Sequence, residues 1–313
     1  MTPREKLSSP EWAQYILDNP IYKINLQQIV KTPEVTDILV APEGYSFVQF
    51  DFASAEPHVI AEFSKDPKYF ELYASGKPHD AYLYVMCMLV PTPELLESYQ
   101  IENVTSETVA RTKKKFKNIR NIGKVLQLMS IYKAGANTIY RKLRLFGVDI
   151  TKEEVVTLHK DFWSDKLFSK VLEFEESLMA EVDQREGYLV NAFNRPQVIT
   201  DKKRKDCLNV YGQGSSHDVL DIFIRMVEKN LGKYNIEANP IIPDYHDETI
   251  WMCETAAAHR VADVMILSLK ELNDTLGWSI KMKGEPEITD NFTKFKGPDP
   301  VEYYTKRLAE INE

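Results

Sequence analysis

Two apolar stretches, far apart in the chain, each lead to a carboxylate. The first is Tyr45–Phe52, which ends around Asp51, and the second is Ile241–Met252, in which two apolar arms flank Asp247 and Glu248. Short apolar runs of this kind predict β-strands, and the second stretch predicts a hairpin with carboxylates at its tip. If these strands are neighbours in one sheet, Asp51 and Asp247 lie close together.

Helical periodicity of the apolar positions dominates the rest of the chain. Prolines interrupt residues 1–44, which predicts irregular structure there. Thr151 with Glu154 three residues later predicts a capped helix start, and Asn194-Arg195 predicts a second hairpin. The remaining predicted elements are a helix that starts at Ser54, the helices Ala81–Val90, Lys152–Glu186, Val219–Leu231 and Ala256–Leu272, the proline-free segment Glu107–Leu145, and a last strand at Trp278–Met282. This mixture predicts an α+β fold.

One face of the proline-free segment combines positive charge with bulky side chains. Arg120, Lys124 and Leu128 are spaced four apart, so on a helix they fall within a strip about 80° wide, with Tyr132 just beyond it. A solvated basic flank is the simpler interpretation for Lys113–Lys117. It fits Arg120 and Lys124 less well, because they share a face with side chains that would otherwise be buried.

Composition is that of an ordinary globular protein, with 43% hydrophobic and 27% charged residues among 313. No stretch has the length or apolarity of a membrane span or a signal peptide, so we expect a cytoplasmic protein without a membrane partner. The net charge of −8 argues against a surface that lies wholly on nucleic acid. The basic residues are concentrated, however, in residues 111–124 and 202–205, which allows a local basic channel.

Adjacent carboxylates repel each other unless protons or cations neutralise them, and hard divalent ions with oxygen ligands do so most readily. The predicted meeting of Asp51 and Asp247 therefore indicates a metal site. A His-Asp-Glu sequence alone would indicate only a surface turn, but a second strand that ends in an aspartate makes the metal site the stronger interpretation.

Three patches follow one another in a familiar order. They are Asp51-Phe-Ala-Ser-Ala-Glu56, Arg120-x-x-x-Lys124 with Tyr132 two turns later, and His246-Asp247-Glu248. In order and spacing they resemble motifs A, B and C of the family A (polymerase I-like) DNA polymerases, and the resemblance extends over residues 4–295. It implies template-directed DNA synthesis from deoxynucleoside triphosphates on primer–template DNA.

The resemblance implies two Mg²⁺ ions at the carboxylates, which would activate the primer hydroxyl and neutralise the leaving pyrophosphate. Asp51, Asp247 and the backbone carbonyl of Phe52 would be ligands, with Glu248 beside them. Lys124 would also donate a proton to pyrophosphate.

The resemblance also implies two further groups of contacts. Residues that bind the nucleotide would be Arg120, Lys124, Glu56, His79, Leu128 and Tyr132. Residues that touch the DNA would be Arg195, Lys205, Asn209, Gln213 and His246. In this assignment Glu56 excludes ribonucleotides by crowding the 2′ carbon, and Tyr132 stacks at the template position. An ordinary hydrogen-bonded histidine at His79 and a core tyrosine at Tyr132 are almost equally good interpretations.

Several positions depart from the family pattern. Leu128 replaces an aromatic residue, Lys133 replaces the glycine after Tyr132, and Pro57-His58 replaces Leu-Arg; Gln127 and Met129 replace Asn and Gly. These changes bear on fidelity, sugar discrimination and template handling. The metal and phosphate ligands are retained.

The implied architecture is a polymerase palm, an antiparallel sheet with helices, plus an α-helical fingers subdomain. Residues 1–65 would form the N-terminal part of the palm, 66–200 mainly the fingers, 201–295 the rest of the palm, and 296–313 a C-terminal tail helix. Thumb and 3′–5′ exonuclease domains are expected to be absent. A separate polypeptide would supply them, which suggests a split polymerase of a bacteriophage that works in the host cytoplasm.

Two other functions remain open. A single-subunit RNA polymerase relative shares the palm, although Glu56 would not suit ribonucleotides. A non-catalytic DNA-binding subunit of a replication complex would account for the altered residues around Leu128, but it would have little reason to keep both aspartates together with Arg120 and Lys124.

Overall fold

The computed structural model describes residues 40–74, 76–245 and 247–290, and for 201–203 and 243–245 it describes the main chain only. Most of the irregular N-terminal segment, His246 and the tail helix 296–313 lie outside the described residues.

A four-stranded antiparallel sheet carries the predicted carboxylates. Its strands are β1 (Tyr45–Phe52), β4 (Asn239–Tyr245), β5 (Glu248–Glu254) and β6 (Gly284–Thr289), in the order β4-β5-β1-β6. The hairpin β4–β5 was predicted from the apolar pattern, and β5 lies beside β1, which is the condition under which Asp51 and Asp247 lie close together. A separate hairpin, β2 (Tyr188–Val190) and β3 (Pro196–Val198), forms where it was expected.

The prediction of a last strand at Trp278–Met282 was wrong, because side chains bind the backbone there. Glu62 Oε2 accepts a hydrogen bond from the Ile280 N–H at 2.9 Å, and Asn273 Oδ1 accepts one from the Met282 N–H at 2.7 Å. These donors are therefore not available to a sheet, and the strand forms six residues further on.

Eleven α-helices occupy the described part of the chain. They are α1 (Ala55–Ser64), α2 (Pro67–Ala74), α3 (Ala81–Leu89), α4 (Pro93–Tyr99), α5 (Ser106–Lys115), α6 (Lys117–Ile131), α7 (Ala136–Leu145), α8 (Lys152–Phe162), α9 (Ser169–Gln184), α10 (Cys207–Lys233) and α11 (Ala258–Leu276). With the antiparallel sheet they make the fold α+β, as predicted. None of the helices in these residues is long and apolar enough to cross a membrane.

Two long predicted segments are each divided. The proline-free segment becomes α5, α6 and α7, with Lys133 in the left-handed conformation (φ 59°) between the last two. The segment from Lys152 becomes α8 and α9, because buried aromatic rings fill the turn between them. The Phe162 and Phe168 rings lie 5.2 Å apart, and Phe168 packs on Tyr69 at 4.6 Å. Thr151 and Glu154 form the predicted capping box at the start of α8.

The sheet is held by a hydrophobic core against α10 and α11. Phe50 and Phe52 of β1 both contact Phe223 of α10, with ring centroids 4.3 and 5.2 Å apart. Burying one such side chain contributes about 1.5–3 kcal/mol. A second core of buried residues joins α1 to α2–α9 and the start of α10. The β1 strand, and with it Asp51, is therefore rigidly supported from behind.

Candidate active site

Pairing of β1 with β5 brings the two predicted carboxylates together. Asp51 is the register partner of Glu248, and the Phe52 N–H donates to the Asp247 carbonyl oxygen at 3.0 Å. Asp51 and Asp247 are half-buried, whereas Glu248 is only 4% exposed. Asp51, near the end of β1, and Asp247, in the turn between β4 and β5, thus lie at the same end of the sheet, as the sequence predicted.

The donors at this end of the sheet suit a hard divalent cation. No group of three or more His, Cys, Asp or Glu side chains able to hold a metal occurs in the described residues. Mg²⁺ does not require such a cage, because it keeps several waters and binds through one or two carboxylates plus substrate phosphates. Asp51 and Asp247 fit that requirement, and Glu248 is too deeply buried to face the same solvent.

A cleft of about 490 Å³ opens beside Asp247. Glu56 and Tyr132 lie at its walls, and Arg120 and His79 line it further along. The cleft therefore extends from Asp247 to Arg120 on α6, whereas Asp51 and Lys124 do not line it. Its other lining residues include Leu128, Gln127, Tyr82, Asp80 and Lys113.

The predicted face of α6 borders this cleft. Leu128 is 37% exposed and Tyr132 is 47% exposed, so Tyr132 is not a core tyrosine, and its role at the template position stays a prediction. Lys124 on the same helix is exposed. α6 lies directly on α3 at Gly123, where an added Cβ would stand 2.4 Å from the Tyr82 carbonyl oxygen.

Arg120 is held in place by a carboxylate that sequence reasoning did not single out. Its Nε donates to Asp80 Oδ2 at 2.9 Å, and its guanidinium lies 5.0 Å from the Tyr82 ring centroid. Asp80 is also the N-cap of α3. Lys113, interpreted above as part of a solvated flank, reaches the same Asp80 oxygen at 3.2 Å. Because Asp80 directly precedes an apolar helix, the sequence could have predicted its role as an N-cap. No sequence pattern indicated its ion pairs.

One of the two ring nitrogens of His79 has a hydrogen-bond partner in the described part of the chain. Its Nδ1 lies 3.2 Å from the Tyr99 hydroxyl, while its buried Nε2 has no hydrogen-bond partner in the described part of the chain. Burial, and to a lesser extent the charge of Lys77, lowers the pKa of His79, so the ring is neutral at neutral pH. Because this Nε2 is itself buried, a contact between His79 and a nucleotide phosphate stays a prediction.

Tyr132 connects α6 to the start of α1. Its hydroxyl donates to Glu56 Oε2 at 3.1 Å and also interacts with Gln213 of α10. Burial and the negative charge of Glu56 raise the pKa of Tyr132, which keeps the hydroxyl protonated and able to donate. The wall of the cleft nearest Asp247 is therefore a hydrogen-bonded group rather than separate side chains.

The predicted DNA contacts are more dispersed. Arg195 fixes the β2–β3 hairpin on α10, because its guanidinium pairs with Asp218 at 2.9 Å and donates to the Gly214 carbonyl at 2.9 Å. Asn209 is buried, whereas Lys205 and Gln213 are exposed. His246 lies outside the described residues. The structure therefore leaves the DNA-contact assignments as predictions.

Three of the residues that depart from the family pattern, His58, Gln127 and Lys133, make local contacts, whereas Leu128 is exposed in the cleft. Buried His58 has its Nδ1 2.8 Å from the Ser54 carbonyl oxygen, and burial lowers its pKa to about 4. Buried Gln127 donates to the Tyr73 hydroxyl at 3.4 Å. Lys133 forms an ion pair with buried Glu175. None of these contacts draws on Asp51, Lys124 or the other metal and phosphate candidates.

Comparison with known proteins is consistent with this geometry. DNA polymerase I of Aquifex aeolicus (strain VF5) is 25% identical over 281 residues, which are 86% of this chain and 43% of that protein. The solved POL domain of Pol1 from M. smegmatis, in complex with DNA primer-template and dNTP, superposes with a TM-score of 0.66 at 16% identity, over 86% of this chain and 44% of that one. The chain thus spans less than half the length of either, and the second likeness shows the fold.

The family comparison covers most of the chain. The model for DNA polymerase family A matches residues 20–294, a range that contains both aspartates, the basic face of α6 and the cleft between them. The chain belongs to DNA polymerase family A.

Proposed function

We propose that this chain catalyses template-directed DNA synthesis, adding deoxynucleotides to a primer 3′ end by nucleotidyl transfer. The observation that carries the proposal is that Asp51 of β1 lies next to the turn that contains Asp247, and that Asp247 lines one cleft with Arg120 and His79. Two Mg²⁺ ions held by Asp51, Asp247 and the Phe52 carbonyl would activate the primer hydroxyl and stabilise charge on the leaving pyrophosphate.

The cations of α6 orient the triphosphate. Arg120 offers a planar fork for bidentate phosphate contacts, and the exposed Lys124 supplies a point charge one helical turn later. Lys124 would also act as a general acid that donates a proton to the departing pyrophosphate. His79 would contact the phosphates from the lining of the cleft.

The hydrogen-bonded pair of Tyr132 and Glu56 selects the sugar and holds the template position. Glu56 lies at the cleft wall nearest Asp247, where its carboxylate would meet the 2′ position of the nucleotide. A 2′-hydroxyl there would clash with this wall, so deoxynucleotides are preferred and the RNA polymerase reading is disfavoured. Leu128 provides an apolar surface for the base, in place of an aromatic ring.

The proposal also covers the subdomains of the chain, its contacts with DNA and its partner polypeptide. The sheet with α10 and α11 would be the palm, and the helices between α1 and the β2–β3 hairpin would be the fingers. Arg195, Lys205, Asn209, Gln213 and His246 would contact primer–template DNA, mostly through its backbone. A separate polypeptide would supply thumb and 3′–5′ exonuclease, in a bacteriophage split polymerase acting in the host cytoplasm.

Primer extension by the full chain with Mg²⁺ tests the activity. Asp51→Asn and Asp247→Asn each remove a proposed metal ligand while keeping the side-chain shape, and each is expected to lower the rate at least about a thousandfold. Asp149→Asn removes the same charge from an exposed ion pair in the connection between α7 and α8 and should have no effect. Offering ribonucleotides in parallel separates DNA from RNA synthesis.

If the chain is instead a non-catalytic DNA-binding subunit, Asp247→Asn should not lower the rate of synthesis. If a native complex that contains the chain synthesises DNA equally well with Asp247→Asn, the chain is not the catalytic part. Strong, processive synthesis by this chain alone would instead contradict the separate thumb polypeptide, and copurification from the native host would identify that partner.

A further inference from the structure

A second basic residue enters the cleft beside Arg120. Lys113 of α5 lines the cleft together with Val109, one helical turn earlier, so this side of α5 faces the proposed nucleotide site. The neighbouring lysines face elsewhere: Lys115 pairs with Glu94 at 2.8 Å, and Lys114 is exposed and does not line the cleft. The basic run of α5 is therefore not a uniform solvated flank.

Asp80 holds both cleft cations with a single oxygen. Its Oδ2 lies 2.9 Å from Arg120 Nε and 3.2 Å from Lys113 Nζ, while its Oδ1 accepts the Leu83 N–H at 3.0 Å as the cap of α3. Asp80 is 5% exposed, and its main-chain N–H donates to the Tyr99 hydroxyl. The carboxylate is thus fixed on three sides, and it fixes the two cations in turn.

One carboxylate cannot neutralise two cations. The group formed by Asp80, Arg120 and Lys113 keeps a net positive charge, and Lys113, with 45% of its side chain exposed, is the member most able to turn toward a ligand. His79, with its unpartnered Nε2, is adjacent to Asp80 in the chain and lines the same cleft. The group is therefore suited to a polyanion.

We propose that Lys113 binds a phosphate of the incoming nucleoside triphosphate, as a further cation beside Arg120 and Lys124, and that Asp80 holds it at the cleft until the nucleotide arrives. This inference rests on the proposed polymerase function. A DNA backbone phosphate has the same chemistry. The nucleotide is the better occupant, because Lys113 shares its carboxylate with Arg120 on the nucleotide-facing helix.

Matched glutamine substitutions test the proposal. Lys113→Gln removes the charge and keeps most of the side chain, and Lys114→Gln makes the same change on the exposed neighbour. For a half-exposed lysine we expect Lys113→Gln to raise the KM for deoxynucleotides about three- to tenfold with kcat within about twofold. Lys113→Arg should restore the KM, and Lys114→Gln should resemble the unmodified chain.

Two binding measurements distinguish the sources of phosphate and the two proposals. Equilibrium binding of inorganic tripolyphosphate needs no turnover, and Lys113→Gln should weaken it as much as it raises KM. The dissociation constant for primer–template DNA should not change. A KM and a tripolyphosphate affinity equal to those of Lys114→Gln, or a loss confined to DNA binding, would overturn the role of Lys113. Absence of synthesis with weakened tripolyphosphate binding would overturn the polymerase proposal alone.

Discussion

Removing the ammonium group of Lys133 breaks the ion pair between Lys133, which follows helix α6, and Glu175 of α9. Lys133 Nζ pairs with Glu175 and lies 4.5 Å from the Trp163 ring centroid. The Lys133 side chain is 18% exposed and that of Glu175 is 3% exposed. The second oxygen of Glu175 is buried without a hydrogen-bond partner in the described residues. Lys133→Met therefore leaves a buried carboxylate without compensation, which costs about 3–5 kcal/mol when one partner of a buried pair is removed.

Backbone strain at the same residue gives a matched variant. Lys133 has a φ of 59°, which an L residue adopts at a cost of about 1–2 kcal/mol and glycine adopts without that cost. Glycine also has more conformational entropy to lose on folding, so removing the strain stabilises the folded state by a net of about 1 kcal/mol or less. Lys133→Gly should consequently be less stable than the unmodified chain but slightly more stable than Lys133→Met.

The pH dependence of this loss follows from Glu175. Burial raises the pKa of Glu175 above its ordinary value of 4.5, and Lys133 opposes that rise. Without Lys133 the folded-state pKa rises further, so the folded chain holds a proton that the unfolded chain has released. The destabilisation by Lys133→Met should therefore be small near pH 4.5 and grow as the pH rises through the folded-state pKa.

Urea unfolding at about pH 5 and about pH 8 measures this difference through the transition midpoints. Glu175→Gln in the Lys133→Met background removes the uncompensated charge and should recover most of the lost stability. A double variant no more stable than Lys133→Met, or a loss independent of pH, would refute the assignment of the cost to a buried charge.

Two further predictions concern packing and protonation. Gly123→Ala places a Cβ 2.4 Å from the Tyr82 carbonyl oxygen and should cost about 1–3 kcal/mol in thermal unfolding, whereas Gly135→Ala, with no atom within 4 Å, should cost far less. Burial lowers the pKa of His58 to about 4 from 6.5, so the unfolded chain takes up the proton first as the pH falls. Stability should thus decline on the order of 2 kcal/mol between about pH 7 and pH 5 from this residue, and His58→Gln should remove that part of the decline; an unchanged pH profile would contradict it.

Local patterns of apolar and capping residues predicted much of the fold. The strands around Asp51 and Asp247, the capping box at Thr151 and the helical strip of α6 each depend on residues within a few positions of one another. Periodicity and capping report such short-range preferences directly. The wrong strand at Trp278–Met282, by contrast, lies where the distant side chain of Glu62 binds the backbone at Ile280, and the division between α8 and α9 lies where Phe168 packs on the distant Tyr69.

The sequence by itself determined the α+β class, the two carboxylate strands and the basic face of α6, because these follow from local periodicity and from the order of the three motifs. Only the tertiary structure decided that Lys113 enters the cleft, that Asp80 holds it together with Arg120, and that Lys133 pairs with Glu175. Lys133 and Glu175 are 42 positions apart, and Arg120 is 40 positions from Asp80. The packing of α3, α5, α6 and α9 brings these partners together, and no pattern within a single element records that packing.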